Sequence, residues 1–304
     1  MTTTLPPCPD CEGLVTQIGP IPATDSFAGN ILDQPLSGGY LYRCNQCSLG
    51  FRWPQLSKEK LDSLYAIGKA FNWETTLDSR QDWLIARKWI EEILPNGSLI
   101  LDVGCFDGVF LGSLVRSHKC NGIEIHPIAR ERAKEKGITL IGNDFATVTG
   151  TYDLVTAFDV IEHVDRPKLF LNRCLNSIKS GGLLLISTGD MDAFTFRLMG
   201  GRYWYTTIAE HISFVSPSWF CRLSESLNYR VVRRVSFAHS NASWKRRTIE
   251  TIINLTYRFA GPSLRTLRHL GVGGKNAKLH PELADHPPSW MSAHDHFVIL
   301  LQKR

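Results

Sequence analysis

Leu99-Ile-Leu-Asp-Val-Gly-Cys-Phe-Asp-Gly-Val-Phe-Leu-Gly-Ser-Leu114 begins with the apolar run of a strand, turns through Gly104 and Gly108, and continues at helical spacing. Strand-to-helix turns of this kind usually cradle phosphates: a middle glycine lets the backbone approach, and the helix amino end meets the negative charge. Here Phe106 fills the middle position, and Asp102 and Asp107 add negative charge. Coulomb's law makes two carboxylates costly beside a phosphate in a partly dehydrated crevice, whereas the same carboxylates favour a cationic ligand.

Working outward, strand-like and helix-like segments alternate as a parallel sheet requires, because each crossover must return the chain to the same end. Strands are expected at Ser98–Val103, Asn121–Ile125, Ile138–Ile141, Tyr152–Phe158, Gly182–Ser187, Tyr229–Phe237 and His296–Lys303. Helices are expected at Leu77–Leu94, Gly108–Ser117, Pro127–Lys136 and Pro167–Lys179, with a further one opening at Ser216-Pro217. Pro127 and Pro167 suit the first helical turn, and Gly137 and Gly181 suit the residue past a helix end. The fold class is therefore α/β: a doubly wound, mostly parallel, seven-stranded Rossmann-like sheet.

The chain has 304 residues, 43% hydrophobic and 21% charged, which fits one conventional core plus a smaller unit. No apolar run is long enough to span a bilayer. Met1-Thr-Thr-Thr-Leu-Pro-Pro7 lacks the basic and apolar regions of a secretory signal, so a cytoplasmic location is the expectation. The net charge of +5 is uneven, with Lys245, Arg246, Arg247, Arg258, Arg265, Arg268, Lys275 and Lys278 facing Glu250 alone between Ser240 and Pro281. Three divisions follow: a leader over 1–57, a linker or lid segment over 58–76, and a main domain over 77–304 with a basic helical insertion at about 240–290.

The glycine turn and its surroundings resemble the class I S-adenosylmethionine-dependent methyltransferases. Their first motif, acidic-x-Gly-x-Gly-x-Gly, is matched by Asp102, Gly104 and Gly108, with Phe106 as the departure. The resemblance implies a cofactor site made of Asp102, Gly104, Phe106, Asp107, Gly108, Glu124, Ile125, Asp144, Phe145 and Asp159. In it Glu124 accepts from the ribose hydroxyls, Asp144 accepts from the adenine amino group, and Phe145 borders the ring. Ile161-Glu162-His163-Val164 is similar to the Leu-Glu-His-Val sequence common after the fourth strand. The competing reading is that these carboxylates only cap helices, but capping does not predict one at the carboxyl end of each successive strand.

Eight cysteines include two Cys-x2-Cys pairs, Cys8/Cys11 and Cys44/Cys47. Four thiolates in two chelating turns suit a closed tetrahedral structural zinc site, with no open position for water. Unpaired or redox-active cysteines are the alternative. The leader, through Tyr65, resembles the zinc-binding leader of bacterial methyltransferases from sugar and glycan clusters. There the segment after the ribbon covers the acceptor, which makes Tyr65, Phe71 and Trp73 lid candidates; packing onto the main domain explains them equally well.

A hydroxyl or carbon-acid acceptor needs a base, and neutral histidine suits that task near pH 7. His211 lies in Glu-His-x-x-Phe-x-Ser-Pro, a pattern bordering the acceptor in the same family, and is the first candidate; His163 is the second. Trp204 and Tyr205 are candidates for stacking on an acceptor. The expected activity is methyl transfer to an oxygen or carbon of a sugar nucleotide, glycan or related small metabolite. One alternative is an RNA base methyltransferase using the basic segment as a phosphate track, although no Asn/Asp-Pro-Pro-Tyr/Phe sequence follows the fourth strand. Another is a cofactor-binding scaffold without transfer activity. The amphipathic stretch 244–270 is either a solvated helix face or a peripheral membrane contact.

Overall fold

The computed structural model describes residues 5–67, 76–145, 148, 150–270 and 279–304. Phe71, Trp73, Lys275 and Lys278 lie outside the described residues, as does the side chain of Tyr65. The chain forms two compact units, one made of 1–72, 191–214 and 238–295, the other of 73–190, 215–237 and 296–304.

The first unit opens with β1 (Val15–Ile21), β2 (Thr24–Phe27), β3 (Asn30–Leu36), β4 (Gly39–Cys44), β5 (Gly50–Trp53) and α1 (Lys58–Ile67). The second unit follows with α2 (Gln81–Ile93), β6 (Leu99–Val103), α3 (Val109–Gly112), β7 (Lys119–Ile123), α4 (Pro127–Glu135), β8 (Thr139–Gly142), β9 (Tyr152–Phe158), α5 (Pro167–Asn176) and β10 (Ile178–Gly189). The chain returns to the first unit for α6 (Phe194–Met199) and β11 (Ser213–Phe214), and to the second for α7 (Pro217–Leu223) and β12 (Tyr229–Phe237). Next come α8 (Trp244–Phe259) and α9 (Gly261–His269) in the first unit, then β13 (His296–Lys303) in the second.

The second unit is built on a seven-stranded sheet of order β12-β13-β10-β9-β6-β7-β8. The strands from β6 to β10 run parallel, and β13 is antiparallel to both β10 and β12. From β6 the chain steps outward to β7 and β8, then crosses to β9 on the other side of β6. That reversal leaves a crevice at the carboxyl ends of β6 and β9, where ligands bind in open α/β sheets. Leu183–Ile186 of β10 is a continuous apolar run with every residue buried, as a strand covered on both faces requires. Trp83, Phe110 and Phe158 meet at centroid distances of 4.6 to 6.4 Å and fix α2 and α3 against β9.

In the first unit, β1, β4 and β5 form an antiparallel sheet, and β2 and β3 form a separate hairpin. The sheet is completed by β11, with Ser213 opposite Phe51 and Phe214 opposite Gly50. At Gly50 a Cβ would fall 2.1 Å from Met191 Sδ and 3.1 Å from the Phe214 carbonyl oxygen, so the junction leaves little room for a side chain. Two further ties fix the same segments: the Ala28 N–H donates to Glu210 Oε1 at 3.0 Å, and buried Arg52 donates to the carbonyls of Thr206 and Ile208. The boundaries expected from sequence thus differ from the observed units. Segments 191–214 and 238–295 cluster with the leader instead of with the sheet that holds the crevice, because backbone pairing and buried polar contacts bind them to 1–72. Among the described residues no helix is long and apolar enough to cross a membrane.

Candidate active site

The glycine turn leaves β6 with Gly104 at φ 76°, Phe106 at φ 47° and Gly108 at φ 75°. Added Cβ atoms would meet Val160 Cγ2 at 2.8 Å from Gly104 and Ile138 Cδ1 at 2.2 Å from Gly108, so both glycines are required. Phe106, the departure from the motif, is itself left-handed like Gly104 and Gly108 on either side of it, at a cost of about 1–2 kcal/mol. What holds it is Glu124, whose Oε2 accepts from the Phe106 N–H at 2.9 Å and whose Oε1 accepts from the His126 N–H at 2.7 Å. The buried carboxylate therefore clips the loops after β6 and β7 together, and each oxygen keeps a lone pair for a ligand hydroxyl.

Asp102 is buried on β6 and accepts from Thr156 Oγ1 of the adjacent strand β9 at 2.7 Å. Burial pushes its carboxyl up to about 7; the Thr156 hydrogen bond opposes that rise and the charge of Glu124 adds to it. Two acidic groups here pay electrostatically for each other's presence, and a cation in the crevice relieves the cost. Asp107 is engaged differently. Its Oδ1 accepts from the Val109 N–H at 3.3 Å, and Lys136 Nζ lies 3.3 Å from its Oδ2, so this side chain ties the start of α3 to the end of α4.

Ile125 is largely exposed beyond β7, and Asp144 is exposed after β8. Phe145 packs edge-on against Phe170 of α5 at 5.7 Å. Asp159 follows β9 with φ 52°, and its Oδ2 accepts from Arg80 Nη2 at 2.6 Å. Sequence reasoning passed over Arg80, which lies just before α2, bonds Asp82 and Asp159, and stacks over Trp83 with its guanidinium carbon 4.7 Å from the ring. Burial works against its charge, but the Asp159 and Asp82 carboxylates hold it protonated. A single arginine before a helix is too common to have drawn attention. The Arg80 guanidinium is thus fixed among acidic side chains at the carboxyl end of β9.

The two candidate bases lie in different units. His163 ends a short 3-10 turn, Ile161–His163, just beyond β9. His211 is buried in the first unit, with Nδ1 3.2 Å from the Tyr205 carbonyl and its ring 4.3 Å from the Tyr205 ring. A proton on Nδ1 donated to that carbonyl leaves Nε2 as the basic nitrogen. In the same sequence pattern, Ser216 caps α7 by accepting from the Trp219 N–H.

The four leader cysteines converge. Cys8 and Cys47 sulfurs are 3.6 Å apart, Cys11 and Cys44 sulfurs 3.5 Å, and all four lie within 4.8 Å of one another. A tetrahedron with metal–sulfur bonds of about 2.3 Å has edges of about 3.8 Å, so the donor set fits zinc. The Gln46 and Cys47 N–H groups donate to Cys44 Sγ. Without a cation the thiols share protons: the Cys47 hydrogen bond lowers Cys8 to about 5, burial raises Cys11 to about 11, and Cys47 is raised by its bond to Cys8.

The strand order, the left-handed glycine turn and the acidic crevice define a Rossmann-like domain of the class that binds a nucleoside-bearing ligand at its switch point. A model of the methyltransferase domain family matches residues 80–234, half of the chain. The chain belongs to that family and carries a class I S-adenosylmethionine-dependent methyltransferase domain. It is similar to the mitochondrial ubiquinone biosynthesis O-methyltransferase of Candida albicans, 30% identical over 53% of this chain and 52% of that one. It is also similar to the ubiquinone biosynthesis O-methyltransferase of Aeromonas salmonicida, 29% identical over 47% of this chain and 67% of that one. The matches span about half to two thirds of the length of these relatives. Among solved structures, a putative sarcosine dimethylglycine methyltransferase from Galdieria sulphuraria shares 16% identity at a TM-score of 0.48, covering 73% of this chain and 83% of that one.

Proposed function

We propose that this protein transfers the methyl group of S-adenosylmethionine to an oxygen or carbon of a small acceptor, a sugar nucleotide, glycan or related metabolite, in the cytoplasm. The observation that carries the reading is Glu124, which joins the glycine turn to the end of β7 beside buried Asp102 and gives the crevice an acidic lining. In this reading the Glu124 lone pairs accept from ribose hydroxyls, Arg80 meets the donor's carboxylate, and Asp144 and Phe145 border the adenine. The donor supplies an electrophilic methyl, and the chain's task is alignment, which contributes about 7–11 kcal/mol. His211 takes the acceptor's proton at Nε2, with His163 as the second candidate. Cys8, Cys11, Cys44 and Cys47 hold a structural zinc.

The relatives named for ubiquinone biosynthesis favour a second acceptor class, the phenolic hydroxyl of a quinone precursor. Incubation with labelled donor and a panel of sugar nucleotides, glycans, catechols and RNA, analysed by mass, separates the readings. Label in RNA alone would overturn the small-acceptor proposal, and turnover with none of the panel would favour the scaffold reading.

His211→Ala is expected to lower kcat by about 10²–10⁴-fold while the affinity for the donor changes little. An unchanged kcat would remove His211 as the base.

Affinity for the cationic donor is expected to fall below about pH 7, because Asp102 must lose its proton to meet the positive charge. One linked proton limits the slope to about tenfold per pH unit. The same shift makes folding take up a proton between the ordinary carboxylate range and pH 7, so its contribution to stability declines as pH rises through that window. Calorimetric titration across pH 5 to 8 in buffers of different ionisation enthalpy (about one proton released below pH 7) checks the linkage; pH-independent affinity would contradict it.

A further inference from the structure

Helix α8 exposes most of its aliphatic residues. The side that meets the body of its unit is anchored by Tyr257, whose ring joins the apolar cluster around Phe196 and Trp290, and by polar contacts: Glu250 Oε2 accepts from the Ser292 N–H at 2.9 Å, fully buried Asn254 donates to the Ser289 carbonyl at 3.2 Å, and Tyr257 donates to the Asp285 carbonyl at 2.5 Å. Most other apolar residues turn outward. Ile249, Ile252 and Ile253 are about half exposed, and Trp244 and Phe259, at the two ends, are 73% and 72% exposed. Helices of globular proteins bury the apolar stripe, and an exposed apolar patch rimmed by charge marks an interaction surface.

The rim identifies the occupant's charge. Lys245, Arg246, Arg247 and Arg258 lie along α8, and its one acid, Glu250, is engaged by Arg246 at 2.8 Å and by Ser292. At each end a cation sits beside the exposed aromatic ring, Lys245 at 5.8 Å from Trp244 and Arg258 at 5.7 Å from Phe259. Aromatic rings beside cations, with isoleucines between them, match a bilayer interface, where rings sit at headgroup depth and cations meet lipid phosphates.

We propose that α8 lies along an anionic lipid surface, with Ile249, Ile252 and Ile253 in the acyl boundary and Lys245 and Arg258 at the phosphates. The contact does not depend on the acceptor or on methyl transfer. It is tested by flotation of the full chain with phosphatidylcholine vesicles and with phosphatidylcholine–phosphatidylglycerol vesicles. The expected result is binding to the phosphatidylglycerol-containing vesicles alone, weakened by added salt. Ile252→Asp with Ile253→Asp is expected to reduce that binding on the order of a hundredfold or more. Lys245→Gln is expected to reduce it about fivefold. Because these side chains point away from the core, the thermal unfolding midpoint should not move. The proposal is overturned if the wild-type chain ignores anionic vesicles or if the Ile252/Ile253 variant binds them equally. It is also overturned if light scattering shows that the variant only converts an oligomer to a monomer, which would assign the face to a second copy.

Discussion

Replacing Cys44 with Ser is expected to abolish zinc binding at the proposed site and destabilise the cysteine turns of the first unit while leaving the sheet of the second largely intact. Cys44 sits at the end of β4, bonded through its sulfur to two backbone N–H groups and 3.5 Å from Cys11. The hairpin rests on a small cluster around Phe27, Leu36 and Leu64, and Ile21 and Leu41 join the larger one around Phe196, Tyr203 and Phe214, so the metal's contribution falls on the two cysteine turns and the strand ends that carry them. Apparent binding energies of structural zinc, about 10–16 kcal/mol, are comparable to the whole stability of an ordinary domain, about 5–15 kcal/mol. Metal analysis should find one zinc per wild-type chain and much less in the variant, and a chelator should lower the thermal midpoint of the wild type. Full stability in a metal-free wild-type chain would sink the zinc reading and leave reduced, proton-sharing cysteines in its place.

Glu124→Ala carries the other large effect. It strips two partly buried N–H groups, those of Phe106 and His126, of their acceptor. Hydrogen bonds to a charged group contribute about 1.5–3 kcal/mol each, so the clip between the two loops loses roughly 3–6 kcal/mol. Phe106, held in a left-handed conformation, then relaxes out of it. Affinity for S-adenosylmethionine should fall by at least about a hundredfold. Glu124→Gln, which keeps one acceptor oxygen, should fall between the two. Equal donor affinity in the alanine variant would remove Glu124 from the site.

Much of the second unit could be read from the sequence, for identifiable reasons. Strands at Tyr152–Phe158, Tyr229–Phe237 and His296–Lys303 are found within their expected bounds: the first and last are apolar runs flanked by polar residues, and Tyr229–Phe237 mixes β-branched residues with arginines on a half-exposed edge strand. The strand expected at Asn121–Ile125 ends at Ile123 instead, since the Glu124 bonds to Phe106 and His126 pull the chain off the sheet. The helix expected over Gly108–Ser117 runs only from Val109 to Gly112, where Ser113 Oγ turns back onto the Phe110 carbonyl. The helix expected to reach Lys179 stops at Asn176, and β10 starts at Ile178.

What sequence reading missed is long-range. No local pattern announces that two-residue β11 completes the leader's sheet, or that Glu210 reaches Ala28 across 182 positions. Arg80 acquires its meaning only when the fold brings Asp159 to it. The acidic residues of the crevice were visible as types at strand ends, but their partners were not: Asp107 turned out to serve Lys136 and α3.

The most direct test of this account is calorimetric titration of the full chain with S-adenosylhomocysteine and with a nicotinamide dinucleotide. An acidic crevice around Asp102 and Glu124 predicts saturable binding of S-adenosylhomocysteine at one site and no heat from the phosphate-bearing ligand. Tight dinucleotide binding with no response to S-adenosylhomocysteine would contradict it.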